Sequence, residues 1–203
     1  MDYTYLKDLF ENEEKLIGKE VTLKGWIRNH RKQSKFGFIY FSDGTCFKQM
    51  QLVYDEKLSD FDEIQKLHIG SAIEAKGTLI HSEGSGQNVE IKVNEIKLLG
   101  DCPEDYPIQP KSHSMEFLRE QSYLRFRTNT FQAVFRIRSV AAMGVHSYFQ
   151  KEGYIYAHTP IFTSSDCEGA GEMFQVTTED LNKIAKNGKV DYTKEFFGKP
   201  VGL

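Results

Sequence analysis

A chain of 203 residues with 39% hydrophobic content can bury one large core or two small ones, and two suit it better. Its formal net charge of -3 excludes a globally basic nucleic-acid binder, so any such contact has to rest on a local patch. Cys46, Cys102 and Cys167 are odd in number, far apart and without a C-x-x-C pair, which argues against a disulfide framework or a structural zinc site and for a reducing compartment. With no apolar leader and no apolar run of membrane length, the expectation is a soluble, cytoplasmic chain with no membrane partner.

The chain opens with a short helix that puts Tyr5, Leu6, Leu9 and Phe10 on one face. Val21, Leu23, Gly25 and Ile27 then alternate with Thr22, Lys24, Trp26 and Arg28, the two-residue period of a half-buried strand. A second strand is expected over Phe36 to Ser42, then a turn at Asp43-Gly44 and a third strand from Cys46 to Tyr54. Leu58, Phe61, Ile64 and Leu67 fit a short helix that stops by Gly70. Ile73 to Leu79 and Val89 to Val93 mark two further strands around Gly84-Ser85-Gly86. Three strands, a helix and two strands in this order predict a five-stranded OB-fold β-barrel over residues 1–99.

Residues 100–122 begin with three of the five prolines and read as a linker or hinge. Beyond it, Phe131, Val134, Phe135, Ala141, Ala142, Val145, Tyr148 and Phe149 recur at helical spacing, with Thr128 or Asn129 as N-cap and Gly153 as the stop. This long helix opens a second domain over residues 123–203, so the whole chain is of mixed class, a β-barrel followed by the start of an α+β domain.

Arg28, Asn29, His30, Arg31, Lys32 and Lys35 form a cationic cluster that the strand pattern leaves in a loop between the first two strands; such a patch can track a phosphate backbone, although charge runs are usually solvated. In the second strand, Phe36, Phe38 and Tyr40 fall on one face and Ile39 and Phe41 on the other. Both faces cannot be core in so small a barrel, so the first set offers a stacking platform for an unpaired base. Gln49 and Gln51 point away from Met50 and Leu52, and each amide offers a donor and an acceptor to a base edge.

Farther on, Thr163-Ser164-Ser165-Asp166-Cys167-Glu168-Gly169-Ala170-Gly171-Glu172-Met173-Phe174 packs carboxylates and glycines together, a composition suited to closing backbone over a small polar ligand while an acid reads its ammonium group. Cys167 and His158 lack any pairing pattern that would make them a nucleophile or a base; the first reads as a loop filler, the second as an ordinary strand residue. Neither G-x-G completes G-x-G-x-x-G.

Gly25-Trp26-Ile27, Arg31, Lys35, Gly37-Phe38-Ile39, Asp43-Gly44 and Gln51 resemble the anticodon-binding domain of the class II aminoacyl-tRNA synthetases that handle aspartate, asparagine and lysine. Leu124-Arg125-Phe126-Arg127-Thr128 with the helix after it, Gly153-Tyr154-Ile155 and Thr159-Pro160 resemble that class's first signature motif. The Ser165 to Phe174 run, with Asp191-Tyr192 and Phe196-Phe197-Gly198-Lys199, resembles the asparaginyl-tRNA synthetase family in particular. The resemblance implies that Phe38 stacks on an anticodon base, Gln51 bonds its edge, Arg31 meets the anticodon backbone and Glu90 reads a neighbouring base. It assigns Glu168, with Gly169, Ala170 and Gly171, to the amino-acid substrate, and Pro160 to a homodimer interface. The implied partners are the tRNA anticodon loop, asparagine and ATP with Mg2+. The family's second and third signature motifs have no counterpart in this sequence, so no catalytic or metal-binding residue is expected here, nor strong ATP or Mg2+ binding by this chain alone. Two alternatives stand beside an asparagine–tRNA ligase: a freestanding, non-catalytic RNA-binding barrel, and a paralogue that makes or senses asparagine.

Overall fold

A computed structural model describes residues 3–84, 86–166, 173–180, 183 and 190–203. Two short helices, α1 (Leu6–Glu11) and α2 (Glu13–Leu16), precede strands β1 (Glu20–Lys32), β2 (Phe36–Ser42) and β3 (Met50–Asp55). Helix α3 (Phe61–Lys66) leads to β4 (Ala72–His81) and β5 (Val89–Gly100). The five strands close into a barrel in the order β1-β2-β3-β5-β4. All its neighbouring strands are antiparallel except β3 and β5, which pair in parallel through Leu52–Ile91 and Val53–Lys92.

Alternation determines which side chains fill this barrel. Ile39, Phe41, Met50, Leu52, Ile73, Leu79 and Ile91 are fully buried, and Leu6 and Leu9 of α1 join the same core. Each such side chain contributes about 2 kcal/mol on leaving water. Gly37 is required by a close approach: a Cβ there would lie 2.2 Å from the hydroxyl of Tyr54, its partner on β3.

Three local expectations need correction. The opening helix is two helices, because the chain turns at Asn12 between them. The third strand begins at Met50, not Cys46. Asp43 explains this: its carboxylate accepts from the Thr45 N–H and hydroxyl and from the Leu6 N–H, local bonds that hold the chain in a loop rather than a ladder. The cationic cluster is not a loop either, since β1 continues to Lys32. A bulge lies between Ile27 and Asn29, which pair with Phe41 and Tyr40, leaving Arg28 as the extra residue.

That bulge reverses the alternation. Ile27 points inward; without it Asn29 and Arg31 would do so too. Instead His30 faces in, opposite Ile39, and Arg31 faces out, opposite Phe38. The His30 Nε2 lies 2.7 Å from the Tyr54 hydroxyl and its Nδ1 3.2 Å from the Leu67 carbonyl. Burial pulls its pKa down to about 4, so this histidine is a neutral interior residue rather than part of a phosphate track.

The chain forms two compact units, Met1–Ala141 and Ala142–Leu203. In the first unit the proline-rich segment is packed: Cys102, Tyr106 and Ile108 are buried with Leu118 of α4 (Met115–Glu120) and Phe131. Helix α5 (Asn129–Lys151) begins at Thr128, whose Oγ1 accepts from the Phe131 N–H at 3.4 Å. It ends at Gly153 (φ +86), where the Tyr154 N–H reaches back to the Phe149 carbonyl at 3.0 Å. In the second unit, β6 (Gln175–Val176) pairs with β7 (Val201–Gly202), and Thr163 bridges to Gly202.

Candidate nucleic-acid interface

Strand register assembles the site. Arg31 of β1 faces Phe38 of β2, Phe38 faces Val53 of β3, and Tyr40 faces Gln51. The β3–β5 pairing then sets Gln51 beside Glu90. Phe38, Tyr40, Gln51 and Glu90 are all half-buried while their strand neighbours Ile39, Leu52 and Ile91 are core. The four residues expected to meet an anticodon, Arg31, Phe38, Gln51 and Glu90, therefore share the outer face of one sheet.

Each is held. Phe36 packs edge-on to Phe38, with ring centroids 5.4 Å apart and planes at 87°, so the Phe38 ring is fixed without being covered on both faces. The Arg31 guanidinium lies 5.2 Å from the Tyr40 ring centroid, a cation–π contact that orders the charge while leaving it exposed. Gln51 donates from Nε2 to Glu90 Oε2 at 3.0 Å. Ser82 Oγ, at 2.9 Å, and Gln87 Nε2, at 3.3 Å, donate to that same oxygen. Since a carboxylate only accepts, this bond fixes which end of the Gln51 amide faces Glu90. Its carbonyl oxygen is left to accept from a ligand.

Chemically, this is a ring for stacking, a fixed amide, a carboxylate and a cation within one outer face. Tyr40 takes the place on the stacking face that it shares with Phe36 and Phe38 by strand period. Sequence reasoning missed Ser82 and Gln87, which act through a turn whose closure no local pattern reveals. Gln49 is not on the ladder, since it precedes β3.

The other expected residues stand apart. Pro160 is exposed in the second unit. Glu168, Gly169, Ala170 and Gly171, like Cys167, lie outside the described residues. His158 is not in a strand: it has φ +46, with Nδ1 3.1 Å from the Tyr156 hydroxyl. Among the described residues, no three His, Cys, Asp or Glu side chains are grouped to hold a metal, and no helix is long and apolar enough to cross a membrane.

Comparison with known proteins joins these observations. Residues 21–99 match the family of OB-fold nucleic acid binding domains, and residues 114–192 match the class II tRNA synthetases (D, K and N). All of this chain aligns with the asparagine–tRNA ligase of Acholeplasma laidlawii at 49% identity, covering 44% of that protein. The Clostridium tetani asparagine–tRNA ligase is 48% identical over 98% of this chain and 43% of its own length. The chain thus spans less than half the length of these relatives. In fold it is similar to the crystal structure of Pyrococcus horikoshii asparaginyl-tRNA synthetase complexed with asparaginyl-adenylate: TM-score 0.75, 22% identity, 90% of this chain and 42% of that one. The barrel is an OB-fold followed by the start of a class II synthetase domain, and the chain belongs to the asparaginyl-tRNA synthetase family.

Proposed function

We propose that this chain reads the anticodon loop of a tRNA on the outer face of its barrel, as the recognition part of an asparagine–tRNA ligase. One observation carries the reading: Phe38, Gln51 and Glu90 lie side by side beside the Arg31 charge, each held by a neighbour. In this proposal Phe38 stacks on an unpaired base, contributing about 1 to 3 kcal/mol. Gln51 bonds that base's edge, Glu90 an adjacent base, and Arg31 the backbone.

The remaining assignments follow from the family. Residues 1–99 form the recognition domain, 100–122 the connection and 123–203 the opening of the catalytic domain. Glu168 pairs with the ammonium group of asparagine, with Gly169, Ala170 and Gly171 closing over it. Pro160 and the apolar face of α5, where Ile137, Val140 and Met143 are exposed, meet a second subunit, and the protein works in the cytoplasm. ATP and Mg2+ serve the whole ligase. Among the described residues, no three His, Cys, Asp or Glu side chains are grouped to hold the metal.

Binding of the 203-residue chain to labelled anticodon hairpins tests the proposal. A hairpin with an asparagine anticodon should bind in the micromolar range or more weakly, and one with its middle anticodon base replaced more weakly still. Equal binding of both hairpins would refute base reading.

A further inference from the structure

The bulge in β1 has a second product. Arg28, the extra residue, faces a cleft of about 510 Å³ between the barrel and the first turn of α5, Thr128–Thr130. Arg127 and Lys111 also line this cleft, and no carboxylate does. The Arg28 Nε is shut off from solvent and has no hydrogen-bond partner. Burial draws the Arg28 guanidinium below its ordinary pKa; Tyr106 opposes this and repulsion from Arg127 adds to it. Arg127 is held with its guanidinium 5.3 Å from the Trp26 ring centroid. None of the ion pairs among the described residues involves an arginine.

A buried donor without a partner is costly, and two neighbouring guanidinium groups without an acid add repulsion to it. Both costs are relieved by an anion with several acceptor oxygens, and a phosphate matches the forked donors of arginine. The N–H groups in the first turn of α5 have no acceptor within the helix and add positive potential on one wall.

The cleft is continuous with the base-reading face. A neighbouring hollow, also about 510 Å³, is lined by Tyr40 and Lys48 and shares Gln49 and Asn129 with the cleft. Asn29, on the cleft wall, sits directly across β1–β2 from Tyr40. A strand leaving Tyr40 therefore has a route to Arg28 past Gln49 and Asn29, with Glu13 the one carboxylate lining the hollow and none lining the cleft.

We propose that Arg28 and Arg127 bind backbone phosphates of the same RNA, on nucleotides outside those stacked on the outer face. This rests on the RNA-reading proposal, and the test separates the two. Anisotropy titrations of an anticodon hairpin over a range of KCl compare wild type, R28Q/R127Q and F38A. Each lost phosphate contact flattens the slope of log affinity against log salt by about 0.7 to 0.9. R28Q/R127Q should therefore flatten it by about 1.5 and weaken binding at least about tenfold, whereas F38A should weaken binding with the slope unchanged. A double variant with the wild-type slope and affinity would overturn the cleft contact and leave base reading standing. Loss of binding only in the double variant, with F38A neutral, would keep the cleft and sink base reading. Phosphate ethylation interference on wild-type protein avoids any dependence on folding of the variants: blocked phosphates should extend beyond the anticodon nucleotides, and interference confined to the anticodon would overturn the cleft contact.

Discussion

Lowering the pH from about 7.5 to about 4.5 should cost the barrel about 2 kcal/mol through one side chain, His30. Its ring accepts from the Tyr54 hydroxyl at Nε2 and lies against the Leu67 carbonyl at Nδ1, an arrangement made for a neutral imidazole with its proton on Nδ1. Protonating Nε2 would put two hydrogens between His30 and Tyr54. Burial is the main reason that its pKa falls from 6.5 to about 4, and the nearby Lys32 lowers it further, against the opposing pull of the Leu67 carbonyl. In the unfolded chain the imidazole regains its ordinary affinity for protons, so between the two values the unfolded state binds more of them. Stability is then complete above about pH 6.5 and is lost as pH falls towards about 4. The full gap corresponds to roughly 3 kcal/mol, reduced to about 2 because the ring is half-exposed and solvent screens it. Urea midpoints followed by fluorescence of the single tryptophan, Trp26, measure this on the barrel itself. The variant His30→Gln cannot titrate, while the carboxylates that also respond to acid are common to both proteins. The difference between the two pH profiles should appear across this window and saturate outside it. Parallel profiles would refute the assignment of His30 as a neutral, inward-facing residue.

Three further outcomes follow. Gly37→Ala, whose Cβ would meet the Tyr54 hydroxyl at 2.2 Å and its ring at 2.3 to 2.6 Å, should destabilise the barrel by about 2 kcal/mol in the same urea assay; an unchanged midpoint would mean that Tyr54 has room to move. Glu90→Ala frees Gln51 from its anchor at 3.0 Å and should weaken hairpin binding several-fold in anisotropy titrations, even if Glu90 itself touches no base. Hydrogen exchange should protect the amides of β1, β4 and β5 far longer than those of 142–203, where Ile155 is 92% and Ile161 75% exposed; equal protection would contradict this.

What could be read from the sequence, and what could not, divides along the range of the interactions. Alternation in Val21 to Ile27 and Phe36 to Phe41 reports local burial, and both strands formed with those faces. Helix α5 carried its own start and stop at Thr128 and Gly153. The bulge at Arg28 depends on how β1 pairs with β2, which no local period contains. The local pattern consequently leaves the cationic cluster in a loop, groups His30 with the exposed charges and does not separate Arg28 from Arg31. The Asp43 bonds that displace the start of β3 also reach across the chain, to Leu6. Phe38 and Gln51 were legible because each follows its strand's period; that Glu90 anchors Gln51 depends on the β3–β5 closure.

The most direct measurement is the affinity of an anticodon hairpin for the wild-type chain, Phe38→Ala and Gln51→Ala. With both variants folded by circular dichroism, each substitution should weaken binding about tenfold, the loss of one stacked ring or one base-edge contact. Affinities equal to wild type in both would contradict recognition of RNA on this face.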